Sequence, residues 1–184
     1  MSVLQAAVVV LAVIGLLNLG LTAAVVRRMR FYESSQPPER EAVGLGIGDP
    51  VPEFDTRTAT GEPFGMSDLK GARTLVGFFS TTCAPCREEA PLLGRLREEL
   101  GRRAINVVSV LSHQEGSAVE PGSDSPEIAV LLEQAGTVLP EPRPGPATGA
   151  FRARATPTYV LVDQEGRVAG KGRTVDDCLS SAAR

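Results

Sequence analysis

The sequence predicts an α/β fold, a mixed sheet with helices on both faces, preceded by one membrane-spanning helix. Three observations lead there. Residues 74–80 (TLVGFFS) and 104–111 (AINVVSVL) are continuous apolar runs, the pattern of strands buried on both faces, and an amphipathic stretch separates them. Residues 158–163 and 167–171 are two further strand-like runs joined by the tight turn Gln164-Glu165-Gly166, hence antiparallel. Residues 3–26 contain no charged side chain at all.

The chain of 184 residues suits one ordinary domain plus an appendage and is too short for two well-cored domains. Residues 3–26 are that appendage. A helix of this length rises roughly 36 Å at about 1.5 Å per residue, enough to cross a bilayer with some tilt. Arg27, Arg28 and Arg30 stop it at the headgroups, with Phe31 and Tyr32 as interfacial aromatics. A cleaved signal peptide would need a basic start and a shorter apolar core, and neither is present. Residues 27–47 read as a juxtamembrane tether, because Pro37-Pro38, mixed charges and glycines leave no apolar face to bury.

Residues 48–184 form the folded domain. Residues 52–58 and 60–66 predict a short hairpin turned at Thr60-Gly61-Glu62, and Ser67-Asp68-Leu69-Lys70-Gly71 a single helical turn ended by glycine. The central strand 74–80 follows. Residues 85–100 predict a helix with Ala90, Leu93, Leu96 and Leu100 on its inner face, closed by Gly101. Strand, helix and second strand make a right-handed unit with a parallel pair. Residues 112–126 predict a polar loop, 127–134 a helix ended by Gly136, and the proline-rich 138–147 an exposed connection. After the antiparallel pair, Thr174 caps a last helix with Val175, Cys178, Leu179 and Ala182 inward.

Composition excludes several classes. All 22 acidic residues lie after Tyr32, and the domain is net negative without a basic patch, which argues against nucleic-acid binding. Three cysteines are too few for a disulfide-stapled secreted scaffold. The chemistry instead gathers at Cys83-Ala84-Pro85-Cys86. Two cysteines spaced by two residues stand where a buried strand ends and a helix begins. Free backbone N–H groups and the helix dipole at that point favour a thiolate, so Cys83 is the expected nucleophile. Cys86, one turn further and shielded, then displaces it from a mixed disulfide. Pro85 suits an early helix position, where its missing N–H costs nothing.

These residues, in order, resemble the thioredoxin superfamily and, within it, the membrane-anchored TlpA/ResA-like branch. The resemblance covers the chain from about Gly48 to its end. It rests on Gly48-Asp49-Pro50-Val51-Pro52-Glu53-Phe54 with the hairpin and turn that follow, on the C-x-x-C after an apolar strand, on Pro91 five residues past Cys86, and on Ala155-Thr156-Pro157-Thr158 before a strand. It implies a thioredoxin-like three-layer sandwich, Pro91 bending and shaping the active-site helix, and a cis Thr156–Pro157 bond packed against the cysteines. Thr156 would then offer its backbone to an extended substrate. Such proteins usually carry tryptophan where this chain has Thr82, and many thioredoxins a buried acid where it has Gly77. Proton transfer to and from Cys86 would then fall to water or to Glu89, where ResA-like members also have glutamate. The alternative for Glu89 is a solvated first-turn carboxylate favourable to the dipole, and Glu88 points elsewhere. Cys178 reads as a small core residue and His113 as a loop residue.

The function implied is a membrane-tethered thiol–disulfide oxidoreductase without cofactor, exchanging disulfides with protein substrates and served by a separate electron donor. Members of the branch act on extracytoplasmic partners such as apocytochromes, and the similar MauD-like accessory proteins assist the maturation of secreted enzymes. That implies a domain on the outer side of the cytoplasmic membrane, whereas the flanking arginines argue for the inner side. Three other readings compete. A peroxiredoxin-like thiol peroxidase would want threonine and proline where Ser80 and Val76 stand. A metal-delivery protein using Cys83 and Cys86 would need His113 folded over the pair. A docking module would leave the dithiol idle.

Overall fold

A computed structural model describes residues 44–113 and 125–183, together with Gln5, Leu11, Val13 and Gly15. The expected membrane helix and most of the tether lie outside the described residues, as do residues 114–124 of the expected polar loop. Among the described residues no helix is long and apolar enough to cross a membrane. The chain divides into two compact units, Met1–Pro38 and Glu39–Arg184, and the second carries all that follows.

Strands β1 (Asp55–Arg57) and β2 (Pro63–Gly65) form the expected small hairpin, antiparallel with Thr56 opposite Phe64. A 3-10 turn, Met66–Leu69, follows, and Gly71 takes the positive φ of +85° that releases the chain. The main sheet has five strands: β3 (Arg73–Ser80), β4 (Ile105–His113), β5 (Thr137–Pro142), β6 (Thr158–Val162) and β7 (Val168–Gly172). Their order is β5-β4-β3-β6-β7, with β3, β4 and β5 parallel and β6 and β7 antiparallel to their neighbours. The most continuous apolar run, β3, takes the centre.

The period-two alternation of β3 and β6 divides the core. Leu75, Phe79, Tyr159 and Leu161 face helices α1 (Ala84–Arg102), α2 (Ser125–Ala135) and α4 (Val175–Ser181). Val76, Phe78, Val160 and Val162 face the other side, where Phe54, Met66 and Leu69 join the short α3 (Pro146–Ala150) and Phe151. This mixed sheet between two layers is the thioredoxin-like arrangement. Thr174 accepts a hydrogen bond from the Asp177 N–H and caps α4 as expected.

Three local expectations need correction. Helix α1 does not stop at Gly101. It runs to Arg102, and Ala104 makes the reversal with φ of +53°. Residues 138–147 are not an exposed connection. Their first half is β5, paired with β4 from Val108↔Thr137 to His113↔Pro142, and Pro146 opens α3. Prolines 140 and 142 are tolerated because β5 is an edge strand, and a missing N–H on the open side breaks no ladder. Residues 44–47, read as the tether's end, reach the body: Leu45 is buried, and its carbonyl accepts a hydrogen bond from Lys171 Nζ at 2.9 Å.

Candidate functional site

Strand β3 delivers the cysteines to the middle of one sheet end. The Thr81 N–H donates to the Ser112 carbonyl on β4 and the Cys83 N–H to the Ser80 carbonyl, so the bend from strand to helix is tied down on both sides. Ser80 Oγ and Thr82 Oγ1 lie 3.2 Å apart across the same bend. Cys83 is the residue before the first turn of α1, with φ −94° and ψ 109°, and Pro85 sits inside that first turn. The Cys86 N–H donates to the Cys83 carbonyl at 3.1 Å.

Cys83 and Cys86 are joined by a disulfide, their Cα atoms 5.3 Å apart. Burial separates their roles. Cys86 is fully buried among Ala90, Leu93 and the sheet residues of the core, whereas Cys83 is half-buried. Of the two sulfur-bearing residues, only Cys83 is accessible to solvent. Cys86, one helical turn along, is then placed to attack Cys83 from inside.

The second wall of the site is the loop before β6. The Thr156–Pro157 bond is cis, Pro157 is buried, and the Thr156 carbonyl oxygen lies 3.5 Å from Cys83 Sγ. Thr158 Oγ1 donates to the Ala155 carbonyl at 2.9 Å, which braces the loop as the strand begins. This places half-buried Thr156 backbone beside the sulfur that would carry a mixed disulfide. Pro91 lies within α1, half-buried, and cannot donate the bond to the preceding turn.

Glu89 lies one turn beyond Cys86, half-buried, and its Oε2 accepts a hydrogen bond from the Tyr159 hydroxyl at 3.3 Å. Burial, and then the Glu89 charge, push the Tyr159 hydroxyl far above its usual range, so Tyr159 is the donor of that pair. Tyr159 stands directly across from Gly77 in the β3–β6 register. A Cβ at Gly77 would fall 2.7 Å from Phe79 Cε2 and 3.2 Å from Tyr159 Cε1. Two aromatic rings, edge to face with centroids 5.8 Å apart, therefore fill the space where the resemblance would have put an acid. Sequence reasoning missed Tyr159. Only the absence of a side chain at 77 signalled that something from the next strand had to fill the gap.

The remaining candidates lie elsewhere. Cys178 is a free, fully buried thiol on α4, pushed up to about 12 chiefly by that burial. His113, expected in the polar loop 112–126, instead ends β4 together with Ser112 and is half-buried opposite Pro142. Among the described residues no three His, Cys, Asp or Glu side chains gather to hold a metal ion. Thr82 and Glu88 are exposed. Glu141, unremarked in the sequence, is buried on β5 and accepts from the N–H groups of Ala147 and Thr148 and from the Thr148 hydroxyl, which makes it the cap of α3.

A model of the Redoxin family matches residues 47–183. Among curated proteins the chain is 25% identical over 135 residues to the thioredoxin-like protein YneN of Bacillus subtilis, covering 71% of this chain and 74% of that one. It is also 25% identical over 128 residues to the thiol-disulfide oxidoreductase ResA of Bacillus anthracis, covering 67% and 68%. Among solved structures, a putative thiol:disulfide interchange protein DsbE from Chlorobium tepidum superimposes with a TM-score of 0.56 at 24% identity, covering 70% of this chain and 85% of that one. The thioredoxin domain of a Bacteroides vulgatus thiol-disulfide oxidoreductase superimposes with a TM-score of 0.59 at 19% identity, covering 76% and 96%.

Proposed function

We propose, from the premise that this chain belongs to the Redoxin family, that it is a thiol–disulfide oxidoreductase acting on protein disulfides and held to a membrane by residues 3–26. The observation that carries the activity is the placement of the pair. Cys83, partly exposed, opens a helix beside a cis-proline loop, and fully buried Cys86 is already bonded to it. An accessible nucleophile backed by a shielded resolving sulfur is what reversible exchange requires. The curated relatives named as a thioredoxin-like protein and as ResA support the same chemistry.

The reaction runs in two displacements. The Cys83 thiolate attacks a substrate disulfide, one substrate sulfur leaves, and a mixed disulfide forms on Cys83. Cys86 then loses its proton, attacks Cys83 and expels the second substrate sulfur, which regenerates the Cys83–Cys86 bond. The substrate gains two electrons and two protons, and a separate thiol donor must return them to the dithiol before another turnover. Backbone at Thr156, beside Cys83, suits a substrate strand running past the sulfur. Loss of reduction of a model protein disulfide such as insulin in Cys83→Ser tests the reading. Equal turnover by wild type and Cys83→Ser contradicts it.

The tether rests on the charge-free run of residues 3–26 followed by Arg27, Arg28 and Arg30. The flanking arginines alone favour the inner side; we nevertheless propose the outer face of the cytoplasmic membrane, where a membrane-bound dithiol serves partners that cytosolic thioredoxin does not reach. A reporter fused after Arg184 and active only outside the cell tests the side. Recovery of the full chain in the soluble fraction contradicts the tether.

A further inference from the structure

Tyr159 meets three conditions that an inert core tyrosine need not meet. Its ring occupies the space left open by Gly77, its hydroxyl ends on a carboxylate, and that carboxylate lies one helical turn from the resolving cysteine. The hydrogen bond joins positions 70 residues apart, from the middle layer of the fold to the active-site helix. Tyr159 is fully buried and Glu89 half-buried, so the bond fixes an otherwise mobile side chain from its inner side. A glutamate in an early helical turn has several rotamers that carry it to solvent. One pinned oxygen removes most of them.

We propose that Tyr159 is a positioning residue for proton transfer at Cys86: its hydroxyl holds Glu89 by Oε2 so that Oε1 takes the Cys86 proton during resolution of the mixed disulfide. The role rests on the thiol–disulfide reading above. In the step itself, the Cys86 S–H bond breaks and its proton passes to Glu89. The Cys86 sulfur bonds to Cys83, the Cys83–substrate bond breaks, and its electron pair leaves with the substrate thiolate. That thiolate is protonated by Glu89 or by water. Burial and the neighbouring carboxylate keep the Tyr159 hydroxyl protonated, so it orients the base without acting as one. Gly77 is part of the same device, because a side chain there would press on Phe79 at 2.7 Å and on the ring that carries the hydroxyl at 3.2 Å.

The two displacements can be timed separately with the reduced full-length chain and an aromatic disulfide that releases a coloured thiolate at each step. Attack by Cys83 releases the first, and resolution by Cys86 the second. Tyr159→Phe keeps the ring and its contact with Phe79. It should leave the first phase unchanged and slow the second by about ten-fold, the low end of the scale of one hydrogen bond to a charged group. Glu89→Gln should slow the second phase at least as much, and the double variant no more than Glu89→Gln alone, because the tyrosine acts only through the glutamate. A second phase at the wild-type rate in Tyr159→Phe overturns the inference. So do effects that multiply in the double variant, or equal slowing of both phases, which marks a packing defect. A wild-type protein that never releases the second thiolate fails at an earlier point, and overturns the exchange reading and this inference together.

Discussion

Replacing Gly77 by alanine adds one methyl group at the tightest point of the core beneath the site. Its Cβ would lie 2.7 Å from Phe79 Cε2 and 3.2 Å from Tyr159 Cε1, against the roughly 3.5–4.0 Å at which carbons rest. One ring must retreat by about 1 Å, yet both are fully buried and neither has solvent to move into. Overpacking of this kind costs about 1–3 kcal/mol, and the gain from removing a flexible glycine offsets only about 0.5 kcal/mol of it. The net loss of about 1.5 kcal/mol lowers Tm by about 6 °C in a domain of this size. Gly94, in the middle of α1, has nothing within 4 Å of where its Cβ would stand. Gly94→Ala should therefore stabilise by about 1 kcal/mol through helix propensity alone. Calorimetric or circular-dichroism melts of the two variants make the test. Opposite shifts are expected, and a Gly77→Ala protein that melts at or above the wild-type temperature refutes the reasoning.

Cys178 sets an alkaline limit. The unfolded chain loses this thiol proton near 9.0, while the folded chain keeps it to about 12. Between those values the folded state binds more protons, so stability falls as pH rises, by on the order of 4 kcal/mol across the window. Tyr159, also held protonated, adds to the loss above its ordinary value. Urea titrations from pH 8 upward should show a shallower decline in Cys178→Ala, and identical slopes contradict the assignment. Glu141→Ala strips α3 of its cap and leaves the Ala147 and Thr148 N–H groups without their acceptor, a cost of about 2–3 kcal/mol readable as a lower urea midpoint. Ala104→Gly relieves a left-handed alanine and should raise stability by about 1 kcal/mol in the same titration.

The parts of the fold that announce themselves in the sequence are those whose physics is local. Residues 74–80 and 107–111 are buried on both faces, so their strands appear as largely apolar runs, and the helix between them shows its face at Ala90, Leu93 and Leu100. The same holds for the cysteine pair, whose spacing, and whose place between strand and helix, are both visible in one dimension. The cis bond at Pro157 was reached only through resemblance. Local reading failed where tertiary context decides. Prolines at 140 and 142 look like a connection until an open sheet edge excuses them. Gly101 carries the signal of a helix end, yet the helix continues past it, and Arg103 binds Glu99 at 2.8 Å near the end that does form. Glu141 has the composition of a surface residue, and only the return of the chain at Ala147 makes its burial tolerable. The Tyr159–Glu89 bond spans 70 positions and has no local signature whatever.

The central claim is that Cys83 alone is primed as a thiolate by the start of α1 while Cys86 waits behind it. The most direct measurement is the rate of iodoacetamide alkylation of the fully reduced protein as a function of pH, with the modified residue mapped by mass spectrometry. The account predicts modification confined to Cys83, with a half-maximal rate below about pH 8, under the value for a free thiol. Modification of Cys86 ahead of Cys83, or a Cys83 profile no different from that of an unstructured thiol, would contradict it.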